Sequence, residues 1–267
     1  MPGSEIRSAA AGLVHRLRRD RGARTGAGRG PEGALAELLG TRVPGDHARQ
    51  VNASYYIDVL MTGLSRPERV LDLGCGEGRS VDRFRRHHPE VDWVGVDIAD
   101  SQEARRRRRT DATFVTYDGL VVPFPGESFD LVYSSQVLEH VRDPLGQLRE
   151  INRVLRPGGA LIGSTSQLEP FHSRSYWNYT VFGFVSLCTD AGLVVEEIRP
   201  GLDGMTLTMR SFLDRPPGFD RWWSDESPLN EMIDEWARDT QASAVRTNLR
   251  KLAFAGQFSF LARRPVG

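Results

Sequence analysis

Short apolar runs alternate with amphipathic stretches along most of this chain. Runs rich in β-branched and aromatic residues at 69–73 (RVLDL), 92–97 (DWVGVD), 112–117 (ATFVTY), 129–134 (FDLVYS), 160–164 (ALIGS) and 193–198 (LVVEEI) read as strands. Helical spacing fills the segments between them at 78–87, 98–109, 144–155 and 180–191, the last stopped by Gly192. A further strand is expected at 257–262. Strands alternating with helices in this way imply βαβ units, and so an α/β fold with a mostly parallel sheet covered on both faces.

The flanks of this region read differently. Residues 4–19 have helical spacing, with Ser4 as N-cap and Ile6, Leu13, Val14 and Leu17 as apolar positions, and an arginine- and glycine-rich linker follows at 16–30. A short helix is expected at 31–39 and a longer one at 46–64, carrying Val51, Tyr55, Ile57, Val59, Leu60 and Met61. Its stretch NASYY at 52–56 either covers a ligand or packs on the sheet. Residues 200–256 form an insert in which Phe219, Trp222, Trp223, Met232, Ile233 and Trp236 gather, with helices expected at 228–239 and 242–254. The insert is a candidate lid and substrate wall. The expected division is an N-terminal helical segment at 1–64 and a main domain at 65–267 that includes this insert.

Charge narrows the partners. The 35 basic and 35 acidic residues cancel, which argues against nucleic acid. The run Arg105–Arg109 reads as a solvated face. No apolar run approaches the length of a membrane span, and the apolar core at 9–14 is too short for a secretory signal. Cys75 and Cys188 lie far apart, so a reducing, cytoplasmic setting is expected, with no disulfide. No metal site is expected.

The candidate chemistry centres on VLDLGCGEG at 70–78, an apolar strand running into three alternate glycines and then a helix start. Such a turn brings a nucleotide close to the backbone and to helix N–H groups. Dinucleotide enzymes share the layout, whereas a lysine-bearing phosphate loop is excluded because no Gly-Lys-Ser/Thr is present. Asp72, inside the strand end, suits a cationic amino group better than a pyrophosphate. Asp97, ending the second strand, is placed for ribose hydroxyls. Asp118, before Gly119, is placed for an adenine amine. LRPGG at 155–159 turns sharply into the fifth strand.

With VLDLGCGEG at 70–78, VGVDI at 94–98, YDG at 117–119, FDLVYSSQVLEHV at 129–141 and LRPGG at 155–159, the chain resembles class I S-adenosylmethionine-dependent methyltransferases. VLEHV resembles the branch acting on quinones and bacterial small metabolites. The resemblance implies a Rossmann-like, doubly wound seven-stranded sheet whose last strand is antiparallel. It implies that Asp72, Gly74 and Gly76, with Cys75 between them, hold the methionine end of the cofactor. Asp97 would bind the ribose, Ile98 would pack on the adenine, and Asp118 with Gly119 would bind the adenine amine. Ser134 or Ser135 would offer a backbone carbonyl to the methionyl amine. The product would be S-adenosylhomocysteine.

Methyl transfer from a sulfonium needs an aligned acceptor and, for a hydroxyl, a base. Histidine is the usual base near neutral pH. His15, His47, His87 and His88 read as solvated. His140 follows the fourth strand and His172 the fifth, both at the carboxyl rim where ligands bind in open α/β sheets. Each is a candidate base, with structural roles as the alternative, and Glu139 is a third candidate. Tyr176, Trp177 and Tyr179 read as substrate-pocket lining or as core. The expected activity is methylation of a small-molecule acceptor, at a hydroxyl of a bacterial secondary metabolite or glycan. Carbon or nitrogen methylation, a cofactor-binding regulatory protein and a nicotinamide-dependent oxidoreductase remain open, as does a homodimer.

Overall fold

The computed structural model describes residues 31–63 and 66–267. The helix expected at 4–19, the linker at 16–30, His15 and the end of the 46–64 helix at Leu64 lie outside the described residues.

The expected strands form one sheet: β1 (Arg69–Leu73), β2 (Asp92–Ile98), β3 (Thr113–Tyr117), β4 (Phe129–Ser135), β5 (Leu155–Ser166), β6 (Val194–Pro200) and β7 (Gln257–Arg263). Their order is β3-β2-β1-β4-β5-β7-β6. All neighbours pair in parallel except β7, which runs antiparallel to both β5 and β6. The α/β, doubly wound, mostly parallel sheet with an antiparallel last strand is therefore present. Strand order reverses between β1 and β4, so a crevice opens at their carboxyl ends.

Alternation along β1 divides the two faces. Leu71 and Leu73 join the main core with Val94, Val96, Val132, Leu161, Phe258 and Phe260. Val70 turns to the other face, where Trp93, Leu131 and Ile162 meet helix α2 (Ser54–Met61) through Tyr56 and Ile57, and α3 (Ser80–His87) through Val81 and Phe84. Burying a side chain such as Phe84 contributes about 1.5–3 kcal/mol. Helix α1 (Pro31–Leu39) adds Leu39 to the main core, and α4 (Gln102–Arg106) follows β2. Helix α5 (Pro144–Val154) starts on an Asp143 cap, whose Oδ1 accepts from the Gly146 amide at 2.9 Å. It presents Leu148, Ile151 and Val154 to the sheet. Helix α6 (Val181–Asp190) covers the same face through Phe184 and Cys188.

The single helix expected at 46–64 is not formed. Only α2 is helical, and residues 43–53 are an irregular strap. Asn52 ends the strap with its side chain on the Ser54 amide at 3.0 Å. The Val51 amide donates to Pro200 at 2.9 Å, and Gln50 is bound by the backbone at Trp222 and by the Ser227 amide. These partners are distant in sequence and override the local helical spacing. Tyr56 is fully buried and Tyr55 packs against His47 and Arg199, so this stretch is core.

The insert contains α7 (Gly204–Phe212), α8 (Pro228–Thr240) and α9 (Ala244–Phe254). Helix α9 is not lid: Leu249 and Leu252 belong to the main core. Its Lys251, fully buried, meets Glu226, Asp234 and the Ala48 carbonyl, tying insert to strap. The solvated reading of the arginine run fails for two residues. Arg107 donates to the Gly76 carbonyl at 2.7 Å and stacks on Phe114, and Arg109 pairs with Asp82. His47 and His87 are likewise engaged, the first by Tyr55 at 3.1 Å and the second by Asp58 at 2.9 Å. Cys75 and Cys188 are free thiols, both buried. No helix among the described residues is long and apolar enough to cross a membrane.

Candidate functional site

The turn after β1 sits at the crevice. Gly74, Gly76 and Gly78 have φ of +69°, +51° and +79°, a region that favours glycine. Space requires glycine as well. A Cβ on Gly74 would meet Val137 at 2.4 Å, and one on Gly78 would meet Phe114 at 2.7 Å. The amides of Gly74 and Cys75 both donate to Val96, at 2.8 and 3.0 Å. The Gly76 amide donates to Asp97 Oδ2 at 2.7 Å, and the Ile98 amide to Oδ1 at 2.8 Å. The amides of Gly74, Cys75 and Gly76 are thus satisfied by β2 and that of Gly78 by the Cys75 carbonyl, and what the turn offers a ligand is a backbone surface stripped of side chains.

Asp97 holds the turn to β2 with one oxygen on each side, and each oxygen keeps a second lone pair. Asp72 is buried beneath the turn, its Oδ2 accepting from Ser80 at the start of α3, while Ser80 in turn accepts from Trp93 Nε1 at 3.0 Å. Burial, with the Asp97 charge beside it, pushes its carboxyl up to about 7, opposed by the Ser80 hydrogen bond. Cys75 lies between the first two glycines. Its side chain is packing, its sulfur lying where a Cβ on Gly95 would come within 2.6 Å, and burial pushes the thiol up. Ile98 and Gly119 are neighbours, a Cβ on Gly119 meeting Ile98 Cγ2 at 3.2 Å, which leaves a flat apolar ledge. Asp118 is exposed and caps its own loop, accepting from the Leu120 and Val121 amides at 2.8 and 2.9 Å on one oxygen. Those bonds hold its carboxyl below the usual range and leave its second oxygen to the rim.

The end of β4 separates two candidates. The Ser134 carbonyl points at β5, where a Cβ on Gly163 would lie 1.8 Å from it. Successive carbonyls alternate across a strand, so that of Ser135 points toward β1, which ends at Leu73 opposite Ser134. This alternation favours Ser135 over Ser134 as the carbonyl on the crevice side.

Beyond β4 the chain makes a strained corner at Gln136, with φ of +56°. Its side chain donates to Ser164 Oγ at 3.1 Å and accepts from Gln257 Nε2 at 2.8 Å. Glu139 follows, fully buried, accepting from Thr165 and Ser166 hydroxyls, each at 3.1 Å. Burial pushes its carboxyl up to about 7 despite those bonds, and Glu169 adds to the shift. Glu169 accepts from Gln257 at 2.7 Å and lies 2.7 Å from the Ser166 hydroxyl, whose one proton is shared between Glu139 and Glu169.

His140 and His172 meet edge to face, with ring centroids 5.2 Å apart. His172 Nδ1 bonds the Pro170 carbonyl at 3.1 Å and lies 3.7 Å from Glu169. His140 Nδ1 is buried and has no hydrogen-bond partner among the described residues. Burial, then His172, lowers the pKa of His140 below the ordinary imidazole value. Both histidines, expected at the same rim, thus stand in one cluster with Glu139.

The loop after β5 completes the rim. The amides of Tyr176 and Trp177 donate to the Glu139 carbonyl at 2.7 and 3.2 Å, and both side chains are exposed there. Tyr179 departs from the pocket-lining reading: it is buried, packs on Phe184, and donates its hydroxyl to Leu138 at 2.8 Å. Arg174 reaches Asp100 beyond β2 at 2.9 Å, so this loop spans the ends of β4 and β1. Glu169, Gln136 and Gln257 escaped sequence reading. The one signal was Glu169, standing three residues before His172.

Comparison with known proteins agrees with this geometry. Residues 71–163 match the family model described as methyltransferase domain. The chain is 35% identical over 116 residues to malonyl-[acyl-carrier protein] O-methyltransferase of Halorhodospira halophila, covering 42% of this chain and 39% of that one. It is 33% identical over 129 residues to ubiquinone biosynthesis O-methyltransferase of Dinoroseobacter shibae, covering 46% and 50%. The chain thus spans half or less of the length of these curated relatives. A solved structure of Haemonchus contortus phosphoethanolamine N-methyltransferase 2 with S-adenosyl-L-methionine superposes with a TM-score of 0.51 at 18% identity, covering 88% of this chain and 56% of that one. The glycine turn, the acidic strand ends and these matches converge: the chain carries a class I S-adenosylmethionine-dependent methyltransferase domain.

Proposed function

We propose that the protein transfers the methyl group of S-adenosylmethionine to a hydroxyl oxygen of a small organic acceptor. The observation that carries this reading is the facing pair His140 and His172 at the rim beside the glycine turn. Asp72, Gly74 and Gly76 receive the methionine end, with the Ser135 carbonyl on its amine. Asp97 takes the ribose, and the Ile98–Gly119 ledge with Asp118 takes the adenine.

In the reaction the acceptor oxygen attacks the sulfonium methyl. A carbon–oxygen bond forms, the carbon–sulfur bond breaks with its electrons returning to sulfur, and S-adenosylhomocysteine leaves. The acceptor proton passes to an imidazole of the pair, and His172 is the first choice because its Nδ1 is fixed by Pro170. His140 suits the same task, since its lowered pKa keeps it neutral and basic near neutral pH. Tyr176 and Trp177 line the acceptor's approach. The names of the two curated relatives, both O-methyltransferases, support oxygen as the acceptor atom. A bacterial secondary metabolite or glycan as acceptor, and a cytoplasmic setting, accord with the composition and the two free thiols.

The test is release of S-adenosylhomocysteine and transfer of labelled methyl across a panel of phenols, sugars and carboxylic acids. Turnover on an acceptor hydroxyl that falls at least about tenfold in His172→Ala supports the reading. Labelled methyl found only on nitrogen or carbon, or tighter binding of a dinucleotide than of S-adenosylhomocysteine in calorimetry, overturns it.

A further inference from the structure

We infer that Glu139, His140 and His172 form a binding site for a divalent transition-metal ion, Zn²⁺ or Mn²⁺ in class. The inference rests on the reading of this cluster as the acceptor site and adds a ligand to it. One donor atom from each of the three residues lies within 4.8 Å of the other two. Small rotations of the side chains bring such a set to the separations found around a bound ion, with metal–nitrogen and metal–oxygen distances of about 2.1 Å.

The surroundings are those of a ligand set. A metal-bound histidine commonly gives its other ring N–H to a backbone carbonyl or carboxylate, which fixes the tautomer. His172 does this through Nδ1, with Pro170 at 3.1 Å and Glu169 at 3.7 Å, and leaves Nε2 as the donor. The His140 ring stands edge to face on His172, and its Nδ1 is buried without a partner among the described residues. Glu139 is held by two hydroxyls, Thr165 and Ser166, and burial on the end of the sheet keeps it from swinging to solvent. Ser166 also bonds Glu169, so the outer carboxylate and the inner one share a support. Two imidazoles with one carboxylate favour a borderline ion over Mg²⁺ or Ca²⁺, which prefer oxygen ligands.

Such an ion would leave coordination positions open toward the rim, where the acceptor oxygen binds. A hydroxyl bound there loses its proton more readily, with the electron pair of the O–H bond remaining on oxygen. Glu169 is the nearby carboxylate to receive that proton. The imidazoles then act as ligands, and the ion takes over the role of activating the hydroxyl.

The full chain, treated with chelator and dialysed, is titrated with Co²⁺ as a spectroscopic substitute and with Zn²⁺ and Mn²⁺ by calorimetry. About one equivalent binds at micromolar affinity or tighter, and His140→Ala and His172→Ala each weaken it by roughly tenfold to a hundredfold. Glu139→Gln, which keeps the hydroxyl contacts, serves where an alanine variant fails to fold. S-adenosylhomocysteine calorimetry on the same samples reports that the fold is intact. Folded protein that takes up no ion, or variants that bind as the parent does, overturn the site. Methyl transfer to oxygen that survives the chelator also overturns it while leaving the proposed reaction standing. Ion binding with no transfer to any hydroxyl supports the site and counts against the proposed reaction.

Discussion

The side chain of Val137 stands where a Cβ on Gly74 would be, 2.4 Å from it. One end of the loop after the fourth strand therefore packs on the glycine turn, three residues before His140.

Gly74→Ala meets this contact and a φ of +69° together. We expect a loss of about 1–3 kcal/mol in stability and at least tenfold weaker S-adenosylhomocysteine binding. Adding Val137→Ala relieves the clash but not the backbone strain, so it restores only part of both. Thermal melts and calorimetry on the single and double variants check this, and full recovery in the double variant would deny any role to backbone strain.

Stability has a sign with pH. In the folded protein freed of metal by chelator, Asp72 and Glu139 are buried carboxyls pushed up to about 7, against the ordinary carboxylate range when unfolded. The folded state therefore binds more protons between about pH 4 and about pH 7, and stability falls as pH rises through that window. Asp72→Asn and Glu139→Gln should each flatten the dependence of the melting temperature there. A parent protein whose melting temperature rises steadily from about pH 5 to about pH 7 runs against this expectation.

Lys251 is fully buried between Glu226, Asp234 and the Ala48 carbonyl. Lys251→Ala leaves two carboxylates without their cation and should cost about 3–5 kcal/mol in denaturant unfolding. Lys251→Met refills the volume without the charge and should fall between the two. Protection of strap amides in hydrogen exchange should drop with the alanine variant, because Ala48 loses its donor.

Asp97→Asn keeps the shape but offers one acceptor oxygen where Asp97 uses two, so either the Gly76 or the Ile98 amide faces an NH2 group and loses its bond. S-adenosylhomocysteine affinity should fall at least about tenfold while the melting temperature drops by a few degrees. Unchanged affinity would remove Asp97 from the ribose site.

The sheet was legible because its strands are short apolar runs at regular spacing, and period survives without knowledge of partners. The positions of Asp72, Asp97 and Asp118 were legible for a related reason: each lies within a residue of a strand's carboxyl end, and strand ends are visible in the pattern. The strap was not. Val51, Tyr55 and Ile57 have helical spacing, but Gln50 and Val51 find their partners at Trp222, Ser227 and Pro200, which only folding brings near. The hydrogen-bond network behind the histidine pair hid for the same reason. Glu169 and Gln257 meet because β7 lies antiparallel beside β5, and nothing local in either sequence signals it. Tyr179 misled because an aromatic in a polar loop reads the same whether it faces a pocket or the core.

The loop that carries Glu169 and His172 also carries Arg174, fastened to Asp100 across the ends of β4 and β1. With that pair made, the loop crosses the ends of β4 and β1 beside the glycine turn. On the proposed reading, a donor bound under this loop enters before the pair forms, and the acceptor follows. The kinetic mechanism expected of this enzyme is compulsory-order, donor first, and S-adenosylhomocysteine last to leave.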